Sequence, residues 1–162
     1  MPKSENFAPM EQEQESQALD LIIEAINYCK KVRDLGMPKS CYAKTLREPI
    51  FFLWEKKPKI SKYESSTYKS AASVAATKGP RSLVYDHSIP FNYTLERLIG
   101  LPDVNQQTVR ACLSECLITC TITKEEDERL NRAGLRHKMP DDWDGVNPLA
   151  RYQAVNIQIH NN

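Results

Sequence analysis

The chain has 162 residues, 41% of them hydrophobic and 27% charged, and a formal net charge of +1. That is enough apolar material for one compact core but too little length for two large domains. No apolar run reaches the length of a membrane span or a signal-peptide core, so a cytoplasmic protein without membrane contact is expected.

Residues 1–16 are polar and acidic with two prolines, too poor in apolar side chains to repay ordering, and are expected to be a disordered acidic tail. From Leu19, the spacing of Leu19, Ile22, Ile23, Ile26 and Cys29 predicts an amphipathic helix that stops at Gly36. Pro49 forbids an unbroken helix interior, so the next helix is expected to restart near Glu48 and end before Pro58. Ser65 to Thr77 reads as helical, closed by Lys78-Gly79-Pro80. Residues 17–80 then form a basic helical portion, packed in one compact domain with 81–162.

Arg81 to Tyr85 is a short predicted strand. Helices follow through Leu95, Leu98 and Ile99, and through Val109, Cys112 and Cys116. Leu117 to Thr121 is β-branched and alternating, a second strand. Thr123 and Glu126 stand in capping-box spacing, predicting a helix that runs to about Ala133 and is stopped by Gly134. Met139 to Gly145 is a loop with Trp143 pinned to the core, and Asn147-Pro148 opens a last helix through Leu149, Tyr152 and Val155. The predicted class is mainly α with a small two-stranded β element, an α+β fold. No sustained heptad seam is read.

The near-neutral total conceals a division along the chain. Residues 1–29 carry a net −5, residues 30–81 a net +9 and residues 82–162 a net −3. The cationic middle suits a polyanion, because lysine and arginine near phosphates release condensed counterions. Lys56, Lys57, Lys59 and Lys62, with Arg136 and Lys138 farther on, are the candidate nucleic-acid contacts. A solvated lysine-rich face is the plainer account. The five cysteines lack both a secretory context and zinc-knuckle spacing, so reduced, buried thiols are expected.

Phosphodiester cleavage needs an activated water and a cation beside the developing charge. His87 suits the first task, and Asp86 beside it diverges toward the other side of the strand. Asp127 and Asn131 stand four apart on a predicted helix and share its face, so with Asp86 they offer oxygens to a hard cation, Mg²⁺ or Mn²⁺. Each residue also has an ordinary role. Asp86 suits a turn cap, Glu125 to Glu128 match the helix dipole as solvated first-turn acids, and His137 suits an exposed basic loop.

Asp86-His87-Ser88-Ile89-Pro90 and Thr123-Lys124-Glu125-Glu126-Asp127 together resemble the HNH, or ββα-metal, endonucleases over about residues 81–134. The resemblance implies a ββα-metal-like unit with a helical insertion and N-terminal helices. It also implies Asp86 and Asp127 as metal ligands, Asn131 as an assisting ligand and His87 as general base. The long helical segment between the strands, the absent asparagine on the second strand and the absent zinc-knuckle cysteines depart from that pattern. The expected function is metal-dependent hydrolysis of nucleic acid. The alternative is a non-catalytic nucleic-acid- or protein-binding protein, an inhibitor or adaptor, with a protein partner or a homodimer.

Overall fold

The computed structural model describes residues 8–56 and 59–160. Its sheet is organised by the run Thr119-Cys120-Thr121-Ile122-Thr123, whose alternation of hydroxyl and apolar side chains suits a strand with two different faces. This strand, β3 (Thr119–Thr123), lies between β1 (Tyr68–Lys69), parallel to it, and β2 (Leu83–His87), antiparallel to it. The register sets Leu83 opposite Thr123, Tyr85 opposite Thr121 and Asp86 opposite Cys120.

The mainly helical class with a small sheet holds, and the sheet has one strand more than expected. The extra strand lies inside the stretch read as helix from Ser65. Ser66 Oγ lies 2.8 Å from Thr121 Oγ1, and the Thr67 amide donates to Thr119 Oγ1 at 3.1 Å, holding this segment extended along β3. The helix there shrinks to α4 (Ala71–Ala75), capped by Ser70.

Before the sheet come α1 (Ala8–Asp34), α2 (Ala43–Ile50) and α3 (Lys62–Ser65); α5 (Phe91–Ile99) and α6 (Gln106–Cys116) stand between β2 and β3. After the sheet come α7 (Lys124–Arg132) and α8 (Ala150–Ala154). The acidic lead-in is helical from Ala8, with residues 1–7 outside the described residues. Glu15 is held by Arg110 at 2.7 Å, and Gln106 donates to Ser16 Oγ and to Asp20, so partners on α6 offset the cost of ordering this polar stretch. Pro49 does not open a helix but lies in the last turn of α2. It lacks the N–H of a regular turn, and the chain widens directly after it into a π-helical turn, Phe51–Glu55.

The chain divides into two compact units. One spans Met1–Lys56 and Leu95–Cys112, the other Lys57–Thr94 and Leu113–Asn162. In the first, α1 buries Leu19, Ile22, Ile26 and Cys29, and α2 packs on it with Leu46 and Ile50. Lys30 Nζ donates to the Leu101 carbonyl at 2.7 Å and Arg33 to that of Ile99 at 3.3 Å, tying α1 to the end of α5.

The apolar core of the second unit lies on one side of the sheet. Cys120 and Ile122 of β3 join Leu130 of α7, Leu135, Tyr152 of α8 and Ile157 in its core, with Tyr68 and Val84 packed against them. No helix among the described residues is long and apolar enough to cross a membrane.

Candidate functional site

Successive strand residues face opposite ways, so β2 divides its side chains between the two sides of the sheet. Val84 and Asp86 lie on the core side with Cys120 and Ile122. Leu83, Tyr85 and His87 lie on the other side with Thr119, Thr121 and Thr123. Asp86 and His87 therefore diverge, as their adjacency in a strand dictates.

Asp86 ends in a closed polar cluster. Its Oδ2 accepts from Arg151 Nη1 at 3.0 Å and from the Tyr152 hydroxyl at 2.7 Å. Arg151 is 1% exposed, and its other donors reach the carbonyls of His87 at 2.8 Å, Leu135 at 2.7 Å and Arg136 at 3.2 Å. One guanidinium thus joins the end of β2, the turn after α7 and α8 itself. Burial pushes the Asp86 carboxyl above its usual range, with Arg151 and Tyr152 pulling the other way. Burial, reinforced by the Asp86 charge, raises the Tyr152 hydroxyl well above its ordinary value. The same two causes push the Cys120 thiol up to about 12.

The start of α7 is the capping box that Thr123 and Glu126 foretell. Thr123 Oγ1 accepts from the Glu126 amide at 3.2 Å, and Glu126 Oε2 accepts from the Thr123 amide at 2.9 Å. Glu126 is not a solvated acid. It is 5% exposed, and its Oε2 also accepts from Ser70 Oγ at 2.6 Å, joining the cap of α4 to the cap of α7. Asp127 is half-buried in the first turn of α7, and Asn131 is exposed in the last.

A divalent ion at Asp86 does not fit this arrangement. Oδ2 of its carboxylate is already held by a buried guanidinium, and a second cation would meet that charge at close range. Among the described residues, no group of three or more His, Cys, Asp or Glu side chains is gathered for a metal.

No family model, curated protein or solved structure matches this chain.

His87 stands instead in an aromatic row. Its ring lies 5.8 Å from that of Tyr85 and 5.7 Å from that of Phe91, all three half-buried. Exposed Lys62 of α3 sets its Nζ 5.3 Å from the Tyr63 ring centre and 5.9 Å from that of Tyr85. Thr121 Oγ1 donates to the Tyr63 carbonyl at 2.9 Å, fixing this four-residue helix across the middle of the threonine face. Near the paired ends Leu83 and Thr123 opens a cleft of about 680 Å³, lined by Ala72, Ala76, Lys78, Arg81, Lys124 and Glu125 among others.

The remaining expected cations are scattered. Lys59 is exposed with a left-handed backbone, φ 63°. Lys56 Nζ lies 5.4 Å from the Phe52 ring centre, and Lys57 lies outside the described residues. Exposed Lys138 pairs with Asp141 at 3.5 Å, and exposed Arg136 offers its carbonyl to Arg151. Arg151, Tyr152, Ser70 and the Tyr85 ring are the site residues that sequence reasoning missed. Arg151 stands within the apolar stripe Leu149, Tyr152 and Val155, where a lone arginine reads as solvated.

Proposed function

We propose that the protein binds single-stranded nucleic acid, without cutting it, on the threonine side of its sheet. A single strand offers unstacked bases and a charged backbone, and a binder answers with aromatic rings and adjacent cations. The observation that carries this reading is the row Tyr85, His87 and Phe91 with Lys62 over the Tyr85 ring. Beyond that row, Lys78, Arg81 and Lys124 against Glu125 leave the cleft with a net +2, suited to phosphates.

Metal-dependent hydrolysis with His87 as base, using Mg²⁺ or Mn²⁺, is the second reading. The antiparallel pair β2 and β3 followed by α7 favours it, because this is a ββα order with Asp127 on the helix. It asks a carboxylate already held through Oδ2 by Arg151 and Tyr152 to take a cation as well, so the binding reading needs fewer rearrangements.

Fluorescence anisotropy with short labelled DNA and RNA single strands separates the two. Binding that weakens as salt rises is expected, as is a loss of about tenfold or more in Tyr85→Ala and in Lys62→Glu, with circular dichroism unchanged. No binding at low salt, or binding indifferent to both substitutions, overturns the proposal. Cleavage in Mn²⁺ that disappears in His87→Ala transfers the function to the second reading.

A further inference from the structure

α1 carries two apolar stripes, and only one is used inside its unit. Leu19, Ile22, Ile26 and Cys29 are fully buried, whereas Leu21 is 50% exposed, Tyr28 52% and Leu35, just past the helix end, 80%. With half-buried Ala25 and Val32 the outer stripe reads Leu21, Ala25, Tyr28, Val32 and Leu35. Its steps are four, three, four and three, the spacing of a helix seam that packs against another helix. Over about 21 Å of helix, this is a longer apolar line than scattered surface residues produce.

We infer that this stripe is a homodimer interface in which α1 pairs antiparallel with α1 of a second copy. The stripe is self-complementary about a two-fold axis between Ile26 and Asn27. In the antiparallel register Ala25 of each copy lies opposite Tyr28 of the other and Leu21 opposite Val32, so small meets large at the centre. Glu24 and Lys31, both exposed and seven residues apart, flank the stripe on one side. Antiparallel pairing brings each Glu24 beside the other copy's Lys31, twice by symmetry, whereas parallel pairing leaves these charges on opposite flanks of the seam without a partner. An interface that repeats one patch on both subunits is the arrangement such a sequence fits.

Sedimentation equilibrium of the full chain from micromolar to hundreds of micromolar tests this. A monomer–dimer equilibrium is expected, and Leu21→Glu with Tyr28→Glu abolishes it while helicity is kept. Glu24→Lys or Lys31→Glu alone weakens the dimer about tenfold, and the two together restore it. In a Cys41→Ser background, mixed Ala25→Cys and Tyr28→Cys proteins cross-link with each other in preference to themselves. A monomer at every concentration, a dimer indifferent to Leu21 and Tyr28, or preferential self-cross-linking of Ala25→Cys overturns the inference.

Discussion

Arg151 and Asp86 lie 65 positions apart in the chain and 3.0 Å apart in space, and the arginine of this pair is 1% exposed. Two charges so removed from water are held only if their remaining donors and acceptors are met. Here Arg151 also donates to the carbonyls of His87, Leu135 and Arg136, and Asp86 Oδ2 also accepts from Tyr152. The pair is a structural clasp across the second unit, and it engages Oδ2 of Asp86.

Removing one partner of the clasp leaves an uncompensated buried charge. Arg151→Met is expected to destabilise by about 3–5 kcal/mol, and Asp86→Leu by a similar amount. Combining them costs less than the sum, since the double variant buries neither charge. Urea denaturation of the four proteins checks this, and additive losses would mean that the two residues do not stabilise each other.

At the start of α7, Thr123→Ala removes one arm of the capping box and is expected to cost about 1 kcal/mol. Glu126→Ala costs more. It also leaves Ser70 Oγ, a buried donor, without its acceptor, adding about 1–3 kcal/mol. Thermal unfolding in which Glu126→Ala falls no further than Thr123→Ala would show that the Ser70 contact contributes nothing.

Gly134 ends α7 at φ +72°, with open space where a Cβ would stand. Only backbone strain opposes a side chain there. Gly134→Ala is expected to cost about 1–2 kcal/mol, and Gly134→Asn less, because asparagine tolerates the left-handed region better. Equal losses for the two in chemical denaturation would point to a steric cause instead.

The stop at Gly134, the capping box and the two longer strands were legible because each rests on neighbours in sequence, although both strands begin and end two residues later than read. Thr123 and Glu126 are three apart, and β2 and β3 declare themselves by β-branched and alternating residues. What was not legible depends on long-range partners. Tyr68 and Lys69 have no strand signature of their own and become β1 only because Thr119 and Thr121 hold the preceding segment. Arg151 reads as a surface cation until Asp86 is brought to it. On α1 two apolar stripes overlap in sequence, Leu21 between Leu19 and Ile22 and Tyr28 between Ile26 and Cys29, so periodicity alone merges an outer seam with the core face.

Thiol chemistry gives the last test. Cys41 is exposed, whereas Cys29, Cys112, Cys116 and Cys120 are buried. A thiol reagent is therefore expected to titrate one cysteine rapidly in the folded protein and all five after unfolding. Cys120 adds a pH signature, since its pKa rises from 9.0 when unperturbed to about 12 in the fold. Between those values the folded state keeps a proton that the unfolded chain has lost. Its contribution to stability is thus complete below pH 9.0 and declines as pH climbs toward 12. Cys120→Ala loses packing at every pH but makes that alkaline decline shallower, the remainder belonging to Tyr152. Parallel alkaline curves for the two proteins would place the titrating group elsewhere.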